Sequence, residues 1–469
     1  MTWINRIVDT GNDLLWTYVL IVLLIILGIY FTFRTGFVQF RLFPEMFRLI
    51  GEKKDGDKGI SAFQAFTIST ASRVGTGNLA GVAIAIALGG PGAVFWMWVI
   101  ALIGMATAFV ESTLAQVYKV RDGEQFRGGP AYYMEKALRA RWLGVVFAIL
   151  ITLCFGLIFN AVQANTITLA FENAFGFNRL VLGVIIAGIA GLIIFGGVKR
   201  IATVTQYVVP IMAILYLLIA LYVVLTNITQ VPALIQLIIS SAFGFNEVVG
   251  GGIGAAIMQG VRRGLFSNEA GMGSVPNAAA TANVSHPAKQ GLVQSLGVFV
   301  DTIIICSATA FMILLTDVYQ LSDVNGIELT QSALSQHIGA WAPSFVAIAI
   351  LLFAFSSIIG NYYYGETNIE FIRESSSWLI VYRVAVLLMV LLGSVAEIML
   401  VWNMADLFMG LMAVLNLIVI FLLGKIAFSV LHDYLDQKKA GKDPVFTSKA
   451  IPGLSNTEVW EEASNRKEQ

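Results

Sequence analysis

The chain alternates between long apolar stretches and short polar segments. A helix needs about 20 consecutive apolar residues to cross the hydrocarbon core of a bilayer. The pattern predicts eleven spans with approximate ends, at 14–33, 60–88, 92–118, 141–170, 180–197, 202–226, 248–285, 288–316, 342–372, 376–400 and 402–431. The first has no small-residue cleavage pattern after it, so we interpret it as a retained span. The sequence therefore predicts an all-α polytopic membrane protein.

Two of the predicted spans are interrupted near their middle. In the span 60–88 the interruption is Ser72-Arg73-Val74-Gly75-Thr76-Gly77-Asn78, and in the span 248–285 it runs from Gly264 to Gly273. An unpaired backbone group in hydrocarbon costs several kcal/mol, so such a break persists only inside protein or beside water. Broken helices in corresponding places of the two halves of a chain are typical of the substrate site of a secondary transporter.

Composition agrees with a membrane protein, with 57% apolar and 12% charged residues and a net charge of zero. No basic tract indicates nucleic-acid binding, so the bilayer is the expected macroscopic partner. Cys154 and Cys306 lie in predicted spans without metal-ligand spacing, which favours a packing role. His286, His337 and His432 lie in predicted loops or the tail, where we expect surface roles.

The distribution of Lys and Arg predicts the orientation. Basic residues concentrate in segments that share one face, namely 34–58, 119–141, 199–200, 289, 373 and the C-terminal tail. The opposite segments carry only Arg6 and Arg179, and the loops 227–247 and 317–340 have neither Lys nor Arg. Because cytoplasmic loops are enriched in Lys and Arg, the N-terminus is predicted outside and the C-terminus inside.

The position of the breaks predicts an internal repeat. They fall in the second and seventh spans, which leaves one extra helix before two sets of five spans. Because five is an odd number, the second set starts from the opposite face of the membrane and is inverted relative to the first. The predicted divisions are 1–59 (first helix and loop), 60–226 (first repeat), 248–431 (inverted repeat) and 432–469 (cytoplasmic tail). The amphipathic stretches 128–138 and 329–340 occupy equivalent places in the two sets.

Three motifs carry a family resemblance: Gly75-Thr76-Gly77-Asn78-Leu79-Ala80-Gly81, Gly89-Gly90-Pro91-Gly92-Ala93-Val94-Phe95-Trp96-Met97-Trp98 and Phe266-Ser267-Asn268-Glu269-Ala270-Gly271. The chain resembles the alanine/glycine:cation symporter family, also called sodium:alanine symporters, over essentially all spans. The resemblance implies a LeuT-type core of five plus five helices in the plasma membrane. It also implies transport without enzymatic activity, with sodium as the co-transported ion and a small neutral amino acid as substrate.

The breaks offer suitable groups for an amino acid. Exposed N–H groups of Gly75, Thr76, Gly77 and Asn78 are expected to bind its carboxylate, because helix ends at a break present free donors. Carbonyls freed near Phe266, Ser267 and Asn268 are expected to bind its ammonium group. The run Phe95-Trp96-Met97-Trp98 is expected to pack or to anchor at the interface.

Resemblance to LeuT-type transporters also implies a sodium site. Its oxygen ligands would come from Ala71 and Val74 at the first break and from Phe353, Ser356 and Ser357 on the eighth core helix. Hard cations favour such ligands. Alternatively, these serines bond to their own helix or to a neighbouring one. The glycines Gly250, Gly251, Gly252 and Gly254 are expected to permit close helix packing.

Among the ionisable residues inside predicted spans, seven draw attention, namely Arg73, Glu111, Arg262, Arg263, Glu269, Asp301 and Glu366. Unpaired charge is costly at this depth, so these groups should neutralise one another or line water. Arg73 lies one turn to the cytoplasmic side of the first break and Glu269 lies within the second. Together they are candidates for an inner gate, and structural ion pairs are the alternative.

Asn361 suggests the substrate. It lies about one turn beyond the serine pair, where many alanine-type relatives have Trp, and in a LeuT-type pocket this position faces the substrate side chain. Asn makes the pocket larger and more polar, which suits an amide. We therefore expect glutamine transport besides or instead of alanine, with Asn160 and Gln163 as weaker candidates for the same wall. Alternatively, Asn361 only bonds to neighbouring helices.

Other functions are less well supported by the sequence. A proton-coupled permease of the same fold would titrate an acidic residue such as Asp301 or Glu269. A membrane enzyme would need a ligand cluster or an activated nucleophile, and the sequence suggests neither. A channel would need a repeated filter motif, which is also missing from the sequence.

Overall fold

The computed structural model describes residues 2–53, 59–244, 252–320 and 326–461. Predictions for Lys54, Lys58, Gly250 and Gly251 concern residues outside these ranges. The helices up to the middle of the chain are α1 (Thr2–Leu14), α2 (Ile21–Arg34), α3 (Val38–Arg41), α4 (Phe43–Ile50), α5 (Ala62–Arg73), α6 (Val82–Gly89), α7 (Gly92–Val117), α8 (Pro130–Lys136), α9 (Arg141–Ile151), α10 (Asn160–Phe175), α11 (Arg179–Ile194), α12 (Gly197–Thr226) and α13 (Val231–Ala242).

The later helices are α14 (Gly252–Asn268), α15 (Val275–Ala279), α16 (Pro287–Val298), α17 (Ser307–Leu314), α18 (Gly326–Ile338), α19 (Ala342–Ile372), α20 (Ser376–Val395) and α21 (Ile398–Lys439). Four π-helical segments continue neighbouring helices, at Leu15–Leu20, Gly77–Gly81, Thr152–Phe159 and Phe299–Cys306. Short 3-10 turns lie at Val318–Gln320 and Ser448–Ala450. The strands β1 (Val120–Asp122) and β2 (Gln125–Arg127) form an antiparallel hairpin. The described chain is thus almost entirely helical.

Eight helices in the described ranges are long and apolar enough to cross a membrane, and one bent pair makes a ninth. The pair is Ala62–Arg73 with Gly77–Gly89, bent by 50° at the predicted first break. The predicted spans 180–197 and 248–285 correspond to α11 and to α14 with α15, whose individual helices are shorter. Length and composition therefore support a polytopic helical protein, and the count of eleven stays a prediction.

The two broken helices lie at the centre of the bundle. α5 packs against α12 and α19, while α14 packs against α6 and α7. The outward faces of α2, α11, α12 and α20 instead expose large apolar side chains, such as Ile26, Leu192, Leu218 and Leu392. Large apolar side chains on the outer surface are the arrangement that a lipid environment favours.

The predicted amphipathic stretches are helices in the structure. The stretch 128–138 contains α8, and the stretch 329–340 is largely α18. α18 packs on α19 and on the π-helical segment of the first broken helix. α8 thus follows α7, the span after the first broken helix, and α18 follows α16 and α17, the span after the second. The two amphipathic helices therefore occupy equivalent places in the chain, as the sequence predicts.

Two predictions about single residues are wrong. Gly252 and Gly254 are exposed, and no described atom lies within 4 Å of a Cβ added to either glycine, so they do not mediate close packing. They open α14, and no helix of the described ranges covers them. His286 is fully buried and its Nε2 lies 3.0 Å from Asp433 Oδ2, so it is not a surface histidine. It caps α16 and binds the extension of α21.

The segment after α21 folds back over one end of the bundle. The Phe446 N–H donates to the Ser285 carbonyl (2.9 Å), and the Trp460 indole donates to the Gln116 carbonyl (2.8 Å). Lys136 also pairs with Glu458 at 3.0 Å. The described part of the predicted tail is therefore packed against the ends of the preceding helices on one face of the bundle.

Candidate functional site

The first broken helix leaves helical geometry at Val74, whose backbone is extended (φ −80°, ψ 92°). The Gly75 N–H donates to Asn78 Oδ1 at 2.9 Å. The Thr76 N–H and hydroxyl both donate to Gln163 Oε1, at 3.0 and 2.7 Å. Of the donors expected to bind a carboxylate, Gly75 and Thr76 thus donate to side-chain oxygens in this structure, whereas the Asn78 N–H donates to the Gly75 carbonyl at 3.2 Å.

Gly75 lies in close contact with two neighbouring helices. A Cβ added at this residue would lie 2.2 Å from Ser357 Oγ and 2.8 Å from Gln163 Oε1. Both distances are far below van der Waals contact, so any side chain at this position would displace α19 or α10. The glycine therefore permits the close approach of the first break to the helices that line it.

The second broken helix is interrupted between α14 and α15. Glu269, Gly271 and Gly273 have positive φ angles of 57°, 89° and 81°. Positive φ is costly for a residue with a side chain, so Glu269 is held in a strained conformation by its surroundings. The Asn268 side chain supports the turn, since its Oδ1 accepts from the Ala270 N–H at 3.0 Å. Phe266, Ser267 and Asn268 thus occupy the last turn of α14, where carbonyls lack partners within the helix.

Glu111 of α7 holds the unwound segment. Its carboxylate accepts from the Gly271 N–H (3.0 Å), the Gly273 N–H (3.1 Å) and Asn416 Nδ2 (2.8 Å). The side chain is completely buried. Two backbone donors freed by the break are thus satisfied by one carboxylate, which explains how the unwound turn survives inside the bundle.

The two breaks meet directly. A Cβ added at Gly77 would lie 3.0 Å from Phe266 Cδ1 and 3.2 Å from Ser267 Cα. The buried carboxylate of Asp301 joins them, because it accepts from Asn78 Nδ2 and from the Ser267 hydroxyl, each at 2.7 Å. The two helix ends are therefore held together by one acidic side chain from the π-helical segment after α16.

Other groups of that π-helical segment complete the contact. The Thr302 hydroxyl donates to Asp301 Oδ2 at 2.9 Å, and it lies 3.3 Å from Asn268 Nδ2. Cys306 Sγ lies 3.3 Å from Asn78 Nδ2 and 3.2 Å from Ser267 Oγ. Cys306 is a free thiol at the candidate site, which packing arguments from the sequence did not anticipate.

Phe266 forms the centre of an aromatic wall. Its ring stacks on Phe159 at a centroid distance of 4.6 Å and on Trp402 at 4.7 Å. Phe159 in turn contacts Phe155 at 4.5 Å. The wall is contributed by three separate elements, so the ring of Phe266 is fixed in position beside Gly77.

The groups predicted to bind sodium come together around Ser357. Its hydroxyl lies 2.8 Å from the Ala71 carbonyl, 3.4 Å from the Val74 carbonyl and 3.1 Å from the Phe353 carbonyl. Ser356 donates to the Phe353 carbonyl at 2.8 Å and contacts the Met212 sulfur at 3.8 Å. Ser357 therefore faces the first break directly, whereas Ser356 reaches it only through Phe353.

Asn361 belongs to a buried polar network. Its Oδ1 lies 2.6 Å from Ser72 Oγ, which also lies 2.7 Å from Glu269 Oε1. Glu269 Oε2 accepts from the Ser274 hydroxyl at 2.6 Å. The Asn361 amide Nδ2 is buried and has no hydrogen-bond partner in the described chain. Asn361 thus links the first and second breaks and retains an unused donor.

Asn160 lies at the start of α10, directly after a π-helical segment. Its Nδ2 donates to the Gly156 carbonyl at 2.9 Å, and its Oδ1 is buried without a partner in the described ranges. Gln163, three residues later, faces Thr76 as described above. Gln163 therefore contacts the break itself, where the sequence suggested a side-chain wall.

Arg73 and Glu269 do not form the direct ion pair that a gate between them would require. Arg73 is buried and its Nη1 donates to the Gln294 carbonyl at 3.2 Å. Glu269 takes both of its hydrogen bonds from serines, as described above. The reason is geometric, because Arg73 points toward α16, where a Cβ at Gly297 would lie 2.0 Å from its Nη1. Their gating role stays a prediction.

The similarity of the chain to known proteins identifies its family. The model of the sodium:alanine symporter family matches residues 1–448. The chain belongs to the sodium:alanine symporter family. It is 62% identical to amino-acid carrier protein AlsT of Bacillus subtilis, over 98% of both chains. It is 59% identical to the "Probable sodium/glutamine symporter GlnT" of Bacillus subtilis, over 97% of this chain and 96% of the relative.

A more distant family member is the sodium/alanine symporter AgcS of Methanococcus maripaludis, 39% identical over 90% of this chain and 95% of the relative. Solved structures with the same fold include MhsT in complex with L-phenylalanine, with a TM-score of 0.54 and 14% identity over 84% of this chain and 92% of that chain. A Na⁺-coupled sialic acid symporter gives 0.52 at 15% identity, over 97% and 98%. These neighbours have the LeuT fold, and membership of the family makes this chain a transporter and not an enzyme.

Sequence reasoning missed several groups that build the site of this family member. Glu111 was recognised only as an ionisable residue inside a span, and Asp301 only as a possible titrating group, yet they bind groups of the two breaks directly. Asp406 was not recognised at all, although Arg263 pairs with it in the bundle interior. An acidic residue inside an otherwise apolar helix was the available signal, and it does not reveal the partner.

Among the titratable groups outside the spans, Glu45 and His286 have pKa values that their surroundings lower. Hydrogen bonding to Arg48, with further bonds from Lys438 and Tyr434, lowers the pKa of Glu45 to about 2. Burial lowers the pKa of His286, against the opposing effect of Asp433. Glu45 joins α4 to the end of α21, and His286 joins the start of α16 to α21, so both groups stabilise this end of the bundle away from the breaks.

Proposed function

We propose that this member of the sodium:alanine symporter family carries a small neutral amino acid together with sodium across the plasma membrane by alternating access. The chain is proposed to cross the membrane eleven times, with its N-terminus outside and an inverted repeat of five plus five helices after the first span. The match of α5–α6 with α14–α15 as the two broken helices supports this arrangement.

The observation that carries the proposal is the oxygen cluster at Ser357. Carbonyls of Ala71, Val74 and Phe353 converge on its hydroxyl within 3.4 Å. Four neutral oxygens at one point suit a hard monovalent cation. Sodium bound here would hold the first broken helix against α19 and would therefore favour the arrangement that binds substrate. Linkage requires substrate to favour sodium binding by the same factor.

The amino-acid backbone is proposed to bind where the breaks meet. Its carboxylate would replace the side-chain oxygens that accept from Gly75 and Thr76 in this structure. Its ammonium group would bind carbonyls of the last turn of α14, at Phe266 and Ser267. Asn78 and Asn268 would orient these two helix ends, and Gly77 would leave the space that any side chain would occupy.

Glutamine is the proposed substrate besides alanine and glycine. The buried Nδ2 of Asn361 has no partner in the described chain, so it is available to donate to a side-chain amide oxygen. Asn160 Oδ1 is an unused acceptor of the complementary kind. A relative that is 59% identical is named as a sodium/glutamine symporter, which supports the same substrate class.

The first experiment measures uptake into proteoliposomes under a sodium gradient and, separately, under a proton gradient without sodium. Sodium-driven uptake is expected. Uptake driven by protons alone would favour the proton-coupled alternative, in which Asp301 or Glu269 titrates. That alternative has its own support, because neither carboxylate has a basic side chain within 4 Å in the described structure.

The substrate is tested by competition with a panel of amino acids. Wild-type uptake should be inhibited by glutamine, and Asn361→Leu should weaken glutamine about tenfold, since a lost hydrogen bond to a buried amide costs about 1–2 kcal/mol. Alanine should compete equally in both proteins. The matched control is Asn165→Leu, whose amide binds carbonyls at the end of α20 away from the breaks. Alanine-only competition in the wild type would reject the glutamine proposal.

A further inference from the structure

The segment after α21 places a buried tryptophan against the end of α7. Trp460 is 5% exposed, and its indole donates to the Gln116 carbonyl at 2.8 Å. Its ring lies 5.0 Å from Lys119 Nζ and packs edge-on against Phe446 at a centroid distance of 5.2 Å. Large aromatic side chains contribute much of the energy of such contacts, because they bury a large apolar area. Trp460 is therefore the main anchor of the tail segment 443–461 on the bundle.

Lys119 and Gln116, which Trp460 covers, bind the segment that follows α15. The buried Lys119 ammonium donates to the Ala282 carbonyl at 2.9 Å. Gln116 Nε2 donates to the same carbonyl at 3.0 Å and to the Ala279 carbonyl at 2.5 Å. Carbonyls at the end of a helix lack partners within the helix, so these side chains supply donors that the end of α15 needs. The far end of the second broken helix is thus attached to the end of α7.

The same segment is joined to the start of the first broken helix. Ile60 and Ala282 form a parallel bridge, and beside it the Asn283 N–H donates to the Ile60 carbonyl at 2.9 Å. α5 begins just after this bridge and packs against α15. On the tail's face of the bundle, the ends of the two broken helices are therefore joined to each other and, through the end of α7, to the tail.

Polar contacts fix the path of the rest of the tail. Lys136 of α8 pairs with Glu458 at 3.0 Å, and the Lys136 carbonyl accepts from Asn456 Nδ2 at 3.1 Å. Partly exposed ion pairs of this kind contribute little stability on their own. These contacts guide the tail across the bundle, whereas the buried contacts of Trp460 decide whether it stays attached.

We propose that Trp460 is a positioning residue that keeps the site closed toward the cytoplasm, because it holds Lys119 and Gln116 on the joined ends of both broken helices. The inference rests on the proposed function for the side of the membrane, since an N-terminus outside places the tail in the cytoplasm. The Lys119 ammonium faces the rings of Phe126 (4.4 Å) and Trp460, which exclude water from it. A hydrogen bond shielded from water is stronger than an exposed one, so the Ala282 carbonyl is held firmly while the tail is in place.

Release of the tail weakens this attachment. Without the ring of Trp460, water reaches the Lys119 ammonium and competes for its hydrogen bonds. α5 and α15 then separate more easily from α7, which opens a path from the cytoplasm to the breaks. The tail thereby sets how often the transporter opens inward, although it lies outside the two predicted repeats.

The native cysteines permit a direct test. Cys306 lies at the meeting point of the breaks and is buried, and Cys154 is the other cysteine of the chain. In a Cys154→Ala background, a membrane-impermeant thiol reagent added to inside-out vesicles reports how often Cys306 opens to the cytoplasm. The same reagent added to whole cells reports its opening to the outside. Labelling requires no knowledge of the substrate.

Trp460→Ala should raise the labelling rate from the inside about tenfold, because it removes both the ring beside Lys119 and the bond to the Gln116 carbonyl. Trp460→Phe keeps a ring beside Lys119 and removes only the bond, so it should raise the rate about threefold. Trp142→Ala is the matched control, since Trp142 lies at the start of α9, on the same face of the bundle, and is 70% exposed. It should leave the rate unchanged.

Labelling from the outside should be unchanged or slower in both Trp460 variants. An equal increase from both sides would show general loosening of the bundle, and an increase from the outside alone would place the tail on the other face; either result overturns the proposal. A rate from the inside equal to wild type in Trp460→Phe would also overturn it, even if Trp460→Ala fails to fold. Failure of sodium-driven uptake in the wild type would reject the proposed function separately, without altering these labelling rates.

Discussion

Replacing Glu111 with glutamine tests how the second break survives inside the bundle. The carboxylate accepts from the backbone N–H groups of Gly271 and Gly273, at 3.0 and 3.1 Å. Glutamine has nearly the same shape, but its amide nitrogen is a donor and would face one of these N–H groups. One backbone donor thus loses its partner in a fully buried place, which costs about 1–3 kcal/mol.

This cost should appear in binding, because the unwound turn must be ordered for substrate to bind. A loss of about 1–3 kcal/mol corresponds to roughly 5- to 150-fold in affinity if it falls entirely on the binding-competent state. The assay is equilibrium binding of labelled amino acid to purified protein in saturating sodium, together with thermal unfolding. Both affinity and melting temperature should fall in Glu111→Gln.

Ser112→Ala is the matched control. Ser112 is the next residue of α7, is equally buried, and its hydroxyl has no hydrogen-bond partner in the described structure. This variant should bind like the wild type. If Glu111→Gln also binds and unfolds like the wild type, the carboxylate does not hold the break, and the explanation for the unwound turn is wrong.

Two further predictions concern the surroundings of the site. Gly297→Ala places a Cβ 2.0 Å from Arg73 Nη1, so it should displace the guanidinium and lower both melting temperature and uptake. The control is Gly188→Ala, which should change neither, because Gly188 is exposed and no described atom lies within 4 Å of an added Cβ. Glu45→Gln removes a carboxylate whose pKa is lowered to about 2, chiefly by Arg48. The ionised carboxylate therefore stabilises the native state fully above about pH 4.5, and this stabilisation is lost as the pH falls toward 2. The difference in melting temperature between wild type and variant should accordingly be largest at neutral pH and should shrink below about pH 4.5. A difference that grows on acidification would contradict the assignment.

Much of the fold could be predicted from the sequence because its signals are local. Glycines around Thr76 weaken a helix wherever the helix packs, so the first break was correctly located. The second was also located, although α14 remains helical through Asn268 and the irregular turn begins only at Glu269. Ser357 was recognised because its place on α19 relative to the break follows from a known fold.

The partners could not be predicted because they come from distant parts of the chain. Glu111 binds backbone groups of Gly271 and Gly273, and any sequence would supply those groups. Asp406 pairs with Arg263 because α14 and α21 pack together. The rotation of each helix about its own axis decides this pairing, and no local sequence pattern determines that rotation. Periodicity indicates which face of a helix is buried, but in a membrane bundle both faces are apolar, and this signal is weak.

The sodium dependence of glutamine uptake in Ser357→Ala tests most directly whether sodium joins the first break to α19 at Ser357. The Ser357 hydroxyl lies near the Ala71 and Val74 carbonyls, whereas the Ser356 hydroxyl donates to the Phe353 carbonyl of its own helix and lies 3.8 Å from the Met212 sulfur. Because Ser357→Ala removes one oxygen ligand of a hard cation, it should raise the sodium concentration for half-maximal uptake at least about tenfold. Ser356→Ala should shift it less. Wild-type sodium dependence in a folded Ser357→Ala protein would show that the Ser357 hydroxyl does not bind sodium.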